Sequence, residues 1–471
     1  MSESVQSASA SRRAASRVPQ TAAAIAGALA LEALFARMAW LGDLKIEVIE
    51  TIALALAAGI VYFLALYAFE HSPKSRSALW IIVAGAVLFR LTLYSLTPSL
   101  STDIQRYRWD GRAQNAGWNP YSVPPDDPRL AYLRDPGWAI MPGPEIPSMY
   151  PPLSQLVFRF TARFLPGIIA FKLPFVLADL LVLAMLAKWL QSYPDGNYRL
   201  AIYAWNPLVI VEFAASSHND ALAIAAMIAA LTIMERRRGA ASLAVTRRGA
   251  TGSPLSVLAL TAGALAKLFP ITLLPLGLRL AGWPQKARGW LALSGGALLA
   301  GICFWPYRSA LAQLSQIFVR YQAIWQNYNP SLYAVLLWFT GHAEIAAGIG
   351  EGIVLAVAIW VAARKIDPLR AAFLLVGAIL MFAPNTYSWY VTWMVPLLCF
   401  FPNPAWLLLT ILQFLSYKVL IEYQINGIWH FDPYFQWLTY APFYALLMGG
   451  ALLKHRQPDA PLVERAVEET V

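Results

Sequence analysis

The sequence predicts an all-α polytopic membrane protein, and three features carry that prediction. Of its 471 residues 58% are hydrophobic and only 13% charged, with a mean hydropathy of +0.52. The apolar residues fall in runs of roughly 17 to 25, the length that crosses a hydrocarbon core as a helix. Between the runs stand short basic connectors such as "ERRRGAASLAVTRRG" and "ARKIDPLR", the pattern that the positive-inside rule leaves on cytoplasmic loops. That pattern also accounts for the net charge of +10, so the basic excess does not point to nucleic acid, and no groove-reading motif is present. Cys303 and Cys399 lie far apart inside apolar runs, which makes them packing residues rather than a disulfide or metal pair. Most of the tryptophans and tyrosines stand near the ends of apolar runs and are expected in aromatic belts.

Residues 1–20, rich in Ser, Ala and Arg, form a cytoplasmic tail, because the apolar segment that follows is long and has no cleavage pattern. Spans are expected near 21–41, 48–69, 78–97, 168–190, 199–216, 220–235, 289–305, 343–363, 371–384, 389–402, 405–421 and 437–453. The stretch 254–280, "PLSVLALTAGALAKLFPITLLPLGLRL", is broken by Pro270 and Pro275. If it enters and returns, with Lys267 near the tip, the basic connectors all fall on one side. This gives about 12 to 14 spans in a single transmembrane domain, 21–453, and a cytoplasmic tail, 454–471. It also places 98–166 outside as a large first extracytoplasmic loop. There "NPYSVPPDDPRL" and "MPGPEIPSMYPPL" are extended and turn-rich, a short helix fits 102–116, and "YPPLSQLVFRFTARFLP" suits an interfacial helix.

Charge concentrates in "STDIQRYRWDGRAQNAGWNPY", residues 101–121. On a helix Asp103 and Asp110 share a face, with Arg106 between them and Arg108 close by. Two readings stand: a solvated helix whose charges pair among themselves, or a hydrophilic site at the membrane border that meets a lipid-linked headgroup. His218, Asn219 and Asp220 form an outward turn between short apolar helices. A turn alone explains Asn and Asp, whereas an ionisable His beside a carboxylate at that depth points to function. Glu212, one or two turns earlier, reads as a partner for a buried arginine. Lys267 either presents a point charge to a phosphate or snorkels from a helix end. Arg90, Glu32, Arg37 and Asp179 neutralise one another. Arg320, Tyr321, Asn329, Tyr387, Trp389 and Tyr390 add polar and aromatic groups to the outer side, a combination suited to sugars. No Walker lysine motif, GxGxxG, HExxH or GxSxG occurs in a supporting context, which removes support for nucleotide-driven pumping and zinc hydrolysis.

Five segments in order, "DIQRYRWDGRAQNAGWNPY", "YPPLSQLVF", "NPLVIVEFAASSHNDAL", "ALAKLFPITLLP" and "NTYSWYVTWMVPLL", resemble the C-type (GT-C) polyprenyl-phosphate-sugar-dependent glycosyltransferases. The likeness is to bacterial mannosyltransferases of the phosphatidylinositol mannoside and GPI type. It implies a GT-C-type helical bundle in the cytoplasmic (inner) membrane with its active site on the extracytoplasmic face. It also implies a polyprenyl-phosphate-linked donor, mannose above other hexoses, and a lipid or glycan acceptor. The catalytic acid maps to Asp103, with Asp110 second. The tighter Asp-x-Asp pair of some members is absent, so a divalent cation has no support, and no cofactor is required. The departing anion is already stable, so one base suffices: Asp103 accepts the acceptor's hydroxyl proton during attack from the opposite face, with inversion. Arg106, Arg108, His218, Asn219, Asp220, Lys267, Arg320 and Tyr390 are the candidates for binding donor phosphate or sugar. The alternative is a transporter or flippase of lipid-linked sugars, which should show related halves and midplane charges; a polymerase or ligase of lipid-linked glycans would share the site.

Overall fold

The computed structural model describes residues 19–239, 252–314, 316, 327–427, 429 and 431–456, and among them the chain is helical with no strand. Helices α1 (Gln20–Leu41), α2 (Val48–Glu70) and α3 (Arg76–Tyr94) pack together. Gln20 fixes how they start: its amide donates to Phe69 O at 3.1 Å and accepts from Ser75 N and from Asn197, each at 2.8 Å. Ser75 in turn caps α3 by accepting from Ala78 N. Trp205 is wholly buried, donates to Ile82 O at 2.9 Å and lies so close to Gly27 that a Cβ there would meet its ring at 2.9 Å. Small residues give such close approach where apolar burial alone does not drive helices together. This tryptophan therefore belongs to the core, while Trp40, Trp80, Trp338 and Trp437 are exposed as belt residues should be.

The segment after α3 carries α4 (Asp103–Asn115) and α5 (Pro152–Phe164), the two helices expected near 102–116 and 150–166. They touch at Gly111, where a Cβ would stand 2.2 Å from Phe158 O, and Tyr107 stacks on Phe158 at 4.5 Å. Beyond them come α6 (Leu173–Leu190), α7 (Gly196–Ala204), a short turn Pro207–Ile210, a π-turn Val211–Ala215 and α8 (Asp220–Gly239). Next, α9 (Pro254–Ala266), a 3-10 turn Phe269–Leu273 and α10 (Leu274–Ala281) form the broken hairpin. Gly252 N donates to Leu280 O at 3.0 Å, so the segment ends where it began, and Lys267 stands at its tip in extended backbone.

The remainder comprises α11 (Ala287–Phe304), α12 (Leu332–Thr340), α13 (Ala343–Arg364), α14 (Pro368–Phe382), α15 (Pro404–Leu412), α16 (Val419–Asn426) and α17 (Pro433–Arg456). Among the described residues seven stretches are long and apolar enough to cross a membrane: Gln20–Leu41, Val48–Glu70, Arg76–Tyr94, Ile168–Leu190, Ala287–Gln313, Ala343–Arg364 and Pro404–Asn426. Of the other segments expected to span, 220–235 and 437–453 lie in the long helices α8 and α17, 371–384 falls in the shorter α14, and two are interrupted. Pro207 and the π-turn divide 199–216, and 389–402 holds only two single-turn helices, Ser388–Val391 and Val395–Leu398. Proline removes a helical donor and clashes with the preceding turn, which an apolar count does not register.

Charges inside the bundle are paired. Arg90 Nε meets Asp179 Oδ2 at 2.5 Å, Tyr203 donates to Asp179 Oδ1 at 2.6 Å, and Arg90 also donates to Ala86 O and Ala204 O. Arg37 pairs with Glu50, not Glu32, which accepts from Thr92. Lys172 donates to Leu93 O, Tyr94 O and Leu96 O, closing the C-terminal end of α3. Removing one member of the Arg90–Asp179 pair strands a charge in an apolar interior. Asp179→Leu is expected to cost about 3–5 kcal/mol, and Arg90→Met with Asp179→Leu to recover much of it, measured by thermal unfolding in detergent. A single variant as stable as wild type would contradict this.

Candidate active site

A cavity of about 1510 Å³ opens where α4, the loop 139–151, the hairpin tip, α13, α14 and the 387–393 segment meet. Its lining is mixed, with Ser95, Thr97, Ser99, Ser101 and Gln105 among the polar residues and Ile271, Val354, Leu355, Ile379 and Phe382 among the apolar ones. Ile271 and Leu355 are also exposed at the surface.

Asp103 lines the cavity. It is the first residue of α4, so its carboxylate faces unsatisfied N–H groups and the positive end of the helix dipole. Its side chain is 21% exposed. Burial pushes its pKa up to about 6, aided by the Asp220 charge, while Lys267 and the hydroxyls of Tyr107 and Tyr150 pull the other way. A carboxylate poised there ionises near neutrality and still accepts a proton well.

Lys267 lines the cavity too. Its ammonium lies 3.1 Å from Asp220 Oδ2 and 5.0 Å from the centre of the Tyr390 ring. The other Asp220 oxygen accepts from Trp393 Nε1 at 2.7 Å. Tyr390 stacks on Trp393, and Trp393 on Phe269, which fixes a cation at an aromatic wall. Asn219 joins α4 to α5, accepting from Tyr107 at 3.2 Å and donating to Ser154 at 3.1 Å.

His218 sits behind Asp103, its side chain fully buried, with Nδ1 3.7 Å from Asp103 Oδ2 and Nε2 3.4 Å from Glu212 Oε2. Its ring stacks on Trp389 at 4.0 Å. Among the described residues Glu212 has no arginine partner, contrary to expectation. The π-turn and the left-handed backbone of Ser217, φ 61°, turn it toward His218 and toward Tyr417, which donates to it at 2.7 Å.

The structure thus brings Asp103, Lys267 and Tyr390 to the cavity wall and buries His218, Asn219 and Asp220 just behind it. Arg106 also reaches the cavity, but its guanidinium is committed to Asp110 Oδ1 at 2.9 Å, Gly143 O and Ile146 O. Asp110 is 1% exposed, lies away from the cavity lining and also accepts from Gln155 at 2.8 Å. Its position suits anchoring of the loop through Arg106. Arg108 points elsewhere, to Gln105, Pro166 O and Asp135. Asn329 is buried against Gln413, and Arg320 and Tyr321 lie outside the described residues. Trp393, Tyr150 and Tyr417 escaped the sequence reading. Trp393 follows Trp389 at helical spacing, which could have flagged it, while Tyr417 carries no such signal. Among the described residues no group of three or more His, Cys, Asp or Glu side chains is placed to hold a metal ion.

The two acids should respond oppositely to loss of charge. Since burial holds the Asp103 pKa above its unfolded value, ionised Asp103 lowers stability above about pH 6, and the penalty vanishes below about pH 4. Asp103→Asn should therefore raise stability by about 1–3 kcal/mol at pH 7.5 and not at pH 4. Asp110→Asn, which strands Arg106, should lower it at pH 7.5 by about 1.5–3 kcal/mol. Thermal midpoints at the two pH values check both signs.

No curated protein and no solved structure gives a significant match to the chain. A family model described as Alpha-(1->6)-mannopyranosyltransferase, N-terminal domain, matches residues 14–277. The match contains α4, α5, the 211–220 turn and the hairpin tip, hence Asp103, His218, Asp220 and Lys267. It covers more than half of the sequence, so the chain belongs to this alpha-(1->6)-mannopyranosyltransferase family and is a membrane-embedded, mannosyl-transferring glycosyltransferase.

Proposed function

We propose that the protein transfers mannose from a polyprenyl-phosphate-linked donor to a lipid or glycan acceptor, with inversion, on the extracytoplasmic face of the cytoplasmic membrane. The observation that carries this reading is the pair of the Asp103 carboxylate and the Lys267 ammonium on the wall of a large cavity of mixed polar and apolar lining, to which Asp43, Lys45 and Glu351 also contribute. The apolar lining, exposed at Ile271 and Leu355, suits a prenyl chain, and the polar lining suits a hydroxylated acceptor. Family membership favours transfer of a sugar over movement of a lipid, so the flippase reading loses its support.

Asp103 accepts the proton as the acceptor hydroxyl attacks the anomeric carbon. The bond to phosphate breaks on the far side, and its electron pair leaves with the phosphate. Lys267 stabilises that anion in a water-poor site where charge pairing is strong. It reaches out from Asp220 and the Tyr390 face, so its position is fixed before the donor binds. No general acid is needed, because a phosphate leaves as a stable anion, unlike the alcohol expelled by glycosidases.

The test incubates purified protein with polyprenyl-phosphate mannose and mannoside acceptors, and follows product and anomeric configuration. Wild-type kcat should fall as pH drops through about 6, where Asp103 becomes protonated. Asp103→Asn should reduce kcat about a hundred- to ten-thousandfold. Transfer only from a nucleotide-activated mannose would overturn the donor assignment, and undiminished transfer by Asp103→Asn would remove the base. Lys267→Met should lower kcat about a hundredfold or more, and an effect confined to the acceptor KM would move Lys267 off the phosphate.

A further inference from the structure

Glu212 and His218 have no part in that mechanism, yet they form a second titratable cluster directly behind Asp103. Both are buried to 0% exposure. Neither ring nitrogen of His218 has a hydrogen-bond partner among the described residues, and each faces a carboxylate: Asp103 at 3.7 Å and Glu212 at 3.4 Å. Glu212 Oε2 is likewise without a hydrogen bond. The backbone is unusual at this point, with a π-turn over Val211–Ala215 and Ser217 at φ 61°. π-bulges and positive φ at a non-glycine residue cost free energy and gather at functional sites. The backbone N–H of His218 donates to Glu212 O at 3.1 Å, so the distortion sets the two residues side by side. The Trp389 ring, 4.0 Å away and inclined by 15°, holds the imidazole plane.

We propose that His218 and Glu212 act as a buried proton relay for Asp103, with His218 passing the proton on and the Glu212 carboxylate taking it up. This rests on Asp103 being the base. In the resting state His218 is neutral, with its proton on Nε2 toward Glu212 and its Nδ1 lone pair toward Asp103. As the acceptor O–H bond breaks, its electron pair forms the new bond to the anomeric carbon and its proton joins Asp103. Asp103 hands the proton to Nδ1 as Nε2 passes its own proton to Glu212, so the imidazole stays neutral against the Trp389 face and the proton ends on the Glu212 carboxyl. Asp103 is thereby anionic again beside the positive charge that develops on the sugar. After the products leave, the proton returns through Asp103 to the cavity, and the original tautomer is restored.

The groups facing this pair are Asp103 and Tyr107 on α4, Asp220 at the start of α8, Lys267 at the hairpin tip, and Tyr417. Glu212→Gln keeps the size of the side chain and an acceptor for Tyr417 while removing the charge. It should lower kcat about tenfold or more with both KM values within about twofold, as expected when only the transition state loses an interaction. Added to Asp103→Asn, it should cost nothing further, since the relay acts only through Asp103. Glu212→Asp should regain part of the rate.

Full kcat in Glu212→Gln, or an equal fractional loss in both backgrounds, would overturn the proposal. If Asp103→Asn itself retains full transfer, the assignment of the base fails instead, so the two failures are distinguishable. If Glu212→Gln yields no folded protein, His218→Gln takes its place in the same comparison.

Discussion

Asn219 and Asp220 hold the site together, and few other contacts join so many separate parts of the chain. Asp220 binds the hairpin through Lys267 and the 388–393 segment through Trp393. Asn219 binds α4 through Tyr107 and α5 through Ser154, whose hydroxyl donates to Ala266 O beside Lys267. Four segments distant in sequence therefore converge on two adjacent side chains. In an apolar interior such bonds have no water to replace them, so each partner is costly to leave unmet. The position of Asp103 against Lys267 follows from that closure.

The same economy separates structural charge from chemical charge. Arg90, Asp179 and Tyr203 satisfy one another and do not line the cavity that holds Asp103. Arg106 and Asp110 form a bidirectional clamp, one end on Gln155 and the other on the carbonyls of Gly143 and Ile146. Asp103 has weaker support: its nearest basic group is the neutral imidazole of His218 at 3.7 Å, and burial works against its charge. An acid left in that condition favours the state in which it has gained a proton, which is what a base must do.

Much of this was legible in the sequence, for identifiable reasons. Hydropathy and length gave the helical membrane class, and two prolines with the charge distribution gave the hairpin and the place of Lys267 at its tip. The position of Asp103, one short turn beyond an apolar run, is legible too, but Asp43 stands in the same relation to the first run, so position alone does not single Asp103 out. Asp110 has the same chemistry at helical spacing, and only the distant Gln155 and the loop carbonyls of Gly143 and Ile146 reveal its different surroundings. Glu212 shows the limit most clearly. Its register assumes an α-helix through 211–215, but one extra residue per turn and the left-handed Ser217 rotate it onto His218, and no simple periodicity anticipates either.

That distortion bears on why the 211–220 turn has its form. A helix that merely turned back in the membrane could do so with glycine and with its polar groups satisfied. Here the turn instead carries a π-bulge, a serine at positive φ, and an imidazole with both nitrogens short of hydrogen bonds. Each of these lowers stability, and none improves the anchoring that Asn219 and Asp220 already provide. Their common effect is to place a neutral, polarisable ring between two carboxylates at distances too long for the resting state and suited to a proton that arrives only during reaction. Free energy stored in one turn is tolerated because the contacts made by Asn219 and Asp220 over-determine the backbone immediately after it.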